Sequence, residues 1–229
     1  GGGTVEIKLL RLASMSLIMH LRNNLFFSVE NEVLNTKDNI RYTTRFNPWV
    51  ISTPFNIYRD GALVAPDEYT LNYLNNTITF NTEQVGIISA DYSYNWVKIV
   101  DTWPDELYQT PVISLQSGLI REKGLQIGGG TKVYIDCYLN IFARNRAARD
   151  DIVEIVKDVL SKDIPLIDFN KGFPVNEDGT KNSKFSIEAN RINWLYTDPD
   201  WILVRLNPAA TKEEEGRALL EITLLTTKE

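Results

Sequence analysis

One cysteine and one histidine are all that the 229 residues offer of the side chains that most often bind metals or act as nucleophile and base. With Cys137 alone, no intrachain disulfide can form, which suits a reducing compartment. No spacing of His and Cys fits zinc, and neither a thiol–imidazole pair nor a Ser–His–Asp grouping has a sequence context. Basic residues are also scarce: 24 Lys and Arg stand against 30 Asp and Glu, a net charge of −6. That balance argues against a surface built to grip nucleic-acid phosphates, though not against one that DNA slides past. Long apolar runs are missing as well. Leu17–Met19 is broken by His20 and Arg22, far short of the ~20 apolar residues of a membrane span. The signal-peptide pattern of basic end, apolar stretch and small-residue cleavage site is absent, so a soluble protein with no membrane partner is expected. Gly1–Gly3 reads as a flexible start and carries no fold information.

What is present is an ordinary globular mix, 43% hydrophobic and 24% charged, in a chain long enough for one large domain or two small ones. Three segments are expected. Residues 1–39 form an N-terminal helical segment. Within it, 4–34 read as helix: Thr4 is a candidate cap, Ile7, Leu10, Ser14, Leu17, Leu21 and Leu25 recur at three and four, and Asn23-Asn24 breaks or bends the run. Residues 40–103 form a small antiparallel β module. Asp60-Gly61 between apolar runs signals a hairpin, Asn75-Asn76 a second turn, and 87–100 a third stretch with Ala90, Tyr92, Tyr94 and Trp96 on one parity. Pro104 marks a linker.

Residues 104–229 read as α+β, an antiparallel or mixed sheet with a helix packed on one face. Val112–Gln116 is a strand. The clearest strand is 132–143, with Val133, Ile135, Cys137, Leu139, Ile141 and Ala143 on one side and Tyr134, Asp136, Tyr138, Asn140 and Phe142 on the other. At ~3.3 Å per residue it spans roughly 36–40 Å. Asn145 caps a helix to about Ser161, whose apolar stripe is Ile152, Ile155, Val156, Val159 and Leu160. Strands follow at 165–169, 184–195, 201–206 and 217–226, with a charged turn at 211–216.

Candidate chemistry is thin. His20 lies in a mostly apolar helical stretch and reads as a packed or surface residue; Cys137, on the apolar parity, reads as a small hydrophobe. Asp150, Glu154 and Asp158 lie four apart on one helix face and read as solvated, with Lys157 and Lys162 placed for ion pairs; a carboxylate-based enzyme stays an alternative. Gly128-Gly129-Gly130 lacks a phosphate-loop frame and reads as a flexible loop. Asn176–Thr180 lacks the ligand spacing of a calcium loop and reads as a turn. Phe55, Tyr58, Tyr69, Tyr73, Phe80, Tyr92, Tyr94 and Trp96 crowd the β module, as its core or, alternatively, as a platform for carbohydrate or a host surface. No catalytic residue, metal or cofactor is expected.

The stretch GGGTKVYIDCYLNIFARNRAARDDIVEIVKDVLSKDIPLIDFN, residues 128–170, resembles the core of neck and tail-completion proteins of tailed bacteriophages, the tail terminator among them. Shared are the Gly-rich loop, the long alternating strand, the helix after A-x-N-R and the short strand ending in D-F. FNIYRDGALVAPDEYTLNYLNNTITF, residues 55–80, resembles hairpin modules of phage tail and baseplate proteins. The N-terminal helix and the 40–100 region exceed a minimal terminator. The resemblance implies a non-enzymatic virion subunit assembled in host cytoplasm. It would be a homo-oligomeric ring, hexameric in the terminators, that joins tail to head, touches neighbouring neck and tail proteins and passes DNA through its lumen without specific binding. Independently, Tyr134, Tyr138 and Phe142 are too aromatic for a freely solvated strand face and, with Gly128, Gly129 and Gly130, are the candidate subunit interface.

Overall fold

The computed structural model describes residues 5–102, 104, 111–124, 129–198, 200, 202–206 and 214–228. The chain forms two compact units. Residues Leu25–Trp96 and Gly172–Ser186 make the smaller one; Gly1–Asn24, Val97–Lys171 and Ile187–Glu229 make the larger. This division differs from the three expected segments. The N-terminal helix is part of the larger unit, the β module starts at Leu25, and a stretch from the second half of the chain completes the module.

The smaller unit holds β1 (Phe27–Val33), β2 (Asn35–Thr36), β3 (Arg41–Thr43), β4 (Asn56–Arg59), β5 (Ala62–Leu63), β6 (Tyr69–Asn72), β7 (Thr77–Phe80) and β8 (Ile88–Tyr94). They form two four-stranded antiparallel sheets, ordered β1-β8-β4-β5 and β2-β3-β7-β6. Their shared core is Leu34, Tyr42, Trp49, Ile57, Val64, Ile78, Phe80, Ile88, Ala90 and Tyr92, with Phe55, Tyr69, Tyr73 and Tyr94 packed against it. Most of the module's aromatics are thus core. The β4–β5 turn is built as its sequence demands: Asp60 and Gly61 both take positive φ, at 50° and 81°. Residues 172–186 dock through the Asn176–Thr180 turn, where the Tyr73 amide donates to the Gly179 carbonyl at 2.8 Å and Asn72 Nδ2 to the Asp178 carbonyl at 3.2 Å. The Asp178 carboxylate is occupied by the Thr180 hydroxyl at 2.6 Å.

β1 is the main departure from the expected helix over 4–34. From Phe27 onward the chain pairs antiparallel with β8 instead of continuing the helix, and a register shift between Val29 and Glu32 leaves those two as the half-buried residues of the strand. Tertiary pairing overrides the helical reading beyond Asn24. Thr4, the candidate cap, lies outside the described residues.

The larger unit holds α1 (Leu9–Asn24), β9 (Lys98–Val100), β10 (Val112–Gly124), β11 (Thr131–Phe142), α2 (Arg146–Leu160), β12 (Ile164–Ile167), α3 (Ile187–Asn190), β13 (Arg191–Thr197), β14 (Leu203–Leu206) and β15 (Arg217–Lys228). The sheet runs β12-β13-β15-β11-β10-β9, with β14 also on β15. β9 pairs parallel to β10; the other pairs are antiparallel. The unit is α+β with a mixed sheet. Its centre is three long strands of 13, 12 and 12 residues, β10, β11 and β15. β11 buries Val133, Ile135, Cys137, Leu139 and Ile141; on β15, Leu220 and Ile222 stand directly beside Leu139 and Cys137.

α1 and α2 cover this apolar face. Ser14 Oγ meets Ser117 Oγ on β10 at 2.7 Å, and the Ile167 amide donates to Ser16 Oγ at 2.9 Å. α2 begins as expected: Asn145 Oδ1 accepts the Ala148 amide at 2.9 Å. Its buried side differs from the expected stripe. Arg149, Ile152, Val153, Val156, Val159 and Leu160 are inside, while Ile155 is 40% exposed. At 3.6 residues per turn, Ile155 falls about 100° from the middle of that face, beyond the sheet's reach. No helix among the described residues is long and apolar enough to cross a membrane.

Candidate assembly surface

The two faces of β11 meet different surroundings. On the side away from α1 and α2 stand Tyr134, Asp136, Tyr138 and Asn140, all half-buried. Their direct neighbours on β15 are Leu225, Thr223, Glu221 and Leu219 in that order; on β10, Arg121 lies beside Tyr134 and Gln116 beside Tyr138. Charge on this face is compensated within it. Arg121 donates to Asp136 at 2.8 Å, Thr223 Oγ1 donates to the same carboxylate at 2.9 Å, and Arg205 on β14 pairs with Glu221 at 3.2 Å. The Arg121 guanidinium lies 5.8 Å from the Tyr134 ring centre. A Cβ on Gly118 would sit 2.8 Å from a Tyr138 ring carbon, so that glycine is what lets the ring lie across β10.

Of the expected interface residues, the structure brings Tyr134 and Tyr138 onto one face. Gly129 is exposed and Gly130 half-buried just before β11; Gly128 lies outside the described residues. Phe142 is corrected: it is 2% exposed, enclosed by the chain itself, with the Arg217 guanidinium 5.4 Å from its ring centre. At the end of a strand, the chain beyond it folds back, as when the Ala143 amide donates to the Gly216 carbonyl at 2.7 Å. Sequence parity placed Phe142 on the right face without showing that this end is covered. Leu219, Leu225 and Gly118 belong to the same face and were missed. Only strand register brings β10 and β15 beside β11.

No family model, no curated protein and no solved structure matches this chain.

A face of this kind has aromatic and aliphatic area with ion pairs already closed within the subunit. Burying it against another protein leaves few charges to be desolvated alone. The isolated reactive side chains sit elsewhere. Cys137 is fully buried between the sheet and the helices, and burial pushes its thiol up to about 12, which keeps it protonated and unreactive. Asp150, Glu154 and Asp158 line the solvent side of α2, with Asp150 paired to Arg149 at 2.8 Å. Among the described residues no group of three His, Cys, Asp or Glu is arranged to hold a metal ion.

His20 is buried on α1 with Nε2 3.0 Å from the Val159 carbonyl on α2, so Nε2 donates its N–H to that oxygen. Burial lowers its pKa below the usual 6.5, opposed by the Val159 bond, with Lys162 lowering it further. The unfolded chain therefore binds a proton at a higher pH than the folded one. Stability from this group is complete above the unfolded value and is lost as pH falls through it towards the folded value. Melting temperature is expected to fall from about pH 7.5 to about pH 5 more in the parent than in His20→Gln, measured by circular dichroism. Parallel pH profiles would show that His20 is not coupled to folding.

Proposed function

We propose that the protein is a structural subunit of a tailed-bacteriophage virion. It forms a homo-oligomeric ring at the head–tail neck or tail end, which joins tail to head and lets DNA pass. The observation that carries this reading is the half-buried Tyr134–Tyr138 face of a sheet whose helices α1 and α2 lie on the other side. Such a face, repeated from copy to copy in a single-sided contact, closes a ring when its rotation permits. The resemblance of residues 128–170 to tail-completion proteins supports the same assignment, with the terminators' six-fold ring as the expected number. The net charge of −6 fits a lumen that does not hold DNA.

Light scattering and negative-stain class averages of the purified protein test this. Ring-shaped particles are expected, reduced to monomers by Tyr138→Glu, with the melting temperature of the monomer little changed because Tyr138 is only half-buried. A strict monomer at about 50 µM, with no ring in assembled particles, overturns the proposal.

A further inference from the structure

The smaller unit carries a second surface that the ring reading does not use. In the sheet β1-β8-β4-β5, strand register puts Val33 beside Ser89, Ser89 beside Tyr58, and Tyr58 beside Leu63, one straight row across all four strands. The row points away from the module's core, since Ile57, Ile88 and Ala90 on the alternate positions are buried. Val33 is 64% and Leu63 66% exposed. Ile87, 61% exposed, extends the row: its amide donates to Asp60 Oδ1 at 2.9 Å beside the β4–β5 turn. Three large aliphatic side chains and a tyrosine thus share one solvent-facing sheet surface. Clustered exposure of this kind marks interaction sites, where scattered single residues do not.

The charged groups set against Tyr58 in this row are acidic. The Tyr58 hydroxyl donates to Asp91 Oδ2 at 2.9 Å, and Asp91 and Glu30 are the charged groups that act on it. Asp60 lies at the turn. The basic residue of β4, Arg59, sits on the opposite parity, its guanidinium bonded to Gln84 and Glu68. From this we infer that the outer face of β1-β8-β4-β5 is a docking surface for another protein, one presenting an aliphatic strip flanked by lysine and arginine. Branched aliphatic side chains bury well against protein, and the acidic rim selects a basic partner and speeds its encounter. A second copy docking through the same face would set Asp60, Asp91 and Glu30 against their own equivalents. This inference stands apart from the ring, because it concerns a different unit and a different face.

Methyl and aromatic NMR spectra of the full chain, titrated with two synthetic strand peptides, test it. One peptide alternates valine with lysine, the other valine with glutamate. The lysine peptide is expected to shift the methyl signals of Val33, Leu63 and Ile87 and the Tyr58 ring, and to bind about tenfold more tightly than the glutamate peptide. Leu63→Gln and Glu30→Gln, both at exposed positions, should each weaken that binding several-fold while leaving the fold intact. Equal binding of both peptides, or no shift at this face at about 1 mM peptide, overturns the inference. So does concentration-dependent self-association that Leu63→Gln abolishes, which would give the face to a second copy. Shifts of Tyr58 with a chito-oligosaccharide and none with the peptides would give it to a glycan and likewise overturn the inference.

Discussion

Val156→Asp is expected to unfold the larger unit, while the same replacement one residue earlier, at Ile155, leaves it folded. Val156 is fully buried between α2 and the sheet; Ile155 is 40% exposed. Burying the Val156 side chain removes apolar area worth about 1.5–3 kcal/mol from water. Aspartate forfeits that and brings a carboxylate to a fully buried position, where the charged form is costly and the group is driven to take up a proton. The sum is about 4 kcal/mol or more, a large part of the 5–15 kcal/mol that typical domains possess. At Ile155 the new carboxylate stays in water, and the loss is about 1 kcal/mol. Urea unfolding followed by circular dichroism separates them. Similar midpoints for the two variants would mean that α2 is turned differently on the sheet.

Gly216→Ala should cost about 2–4 kcal/mol, an unusual sum for adding one methyl group. Gly216 is buried immediately before β15, and a Cβ there would clash with the Ala143 carbonyl oxygen. The same two residues are joined by the bond from the Ala143 amide to the Gly216 carbonyl. The obstacle is backbone, which cannot turn aside as a side chain can, so relief requires the ends of β11 and β15 to part. Gly61→Ala is the informative contrast. Its φ of +81° makes alanine strained, yet nothing lies within 4 Å of the added carbon, so the cost should be that of the backbone conformation alone, about 1–2 kcal/mol. Thermal melts rank them; a Gly216→Ala protein melting at or above Gly61→Ala would contradict the close approach of the two strands.

These outcomes show where the sequence was legible. The alternation in 132–143 was decisive for β11, because a two-residue period with Val, Ile and Leu on one parity has only one way to lie in a half-covered sheet. Asp60-Gly61 was as informative for the β4–β5 turn, since few residue pairs accept two successive positive φ values. Asn145 fixed the start of α2 through a local bond to Ala148. Each of these depends on residues within a few positions of one another. Tyr134 and Tyr138, the readable half of the candidate assembly face, come from the same local alternation.

What depended on distant neighbours was not legible. Whether Phe27–Val33 continues a helix or forms β1 is decided by β8, more than fifty residues away. Whether Phe142 faces a partner or is enclosed depends on Arg217 and the chain around Gly216. The edge of the α2 stripe, with Val153 inside and Ile155 outside, depends on how the helix is rolled on the sheet, which a 3.6-residue period leaves open by one position on either side. The row Val33–Ser89–Tyr58–Leu63 has no sequence signature at all: its members are gathered from four strands by register alone. Sequence determined the elements whose stabilising contacts are local. Only the tertiary structure decided which of their faces stay open to other molecules, because that depends on what the rest of the chain covers.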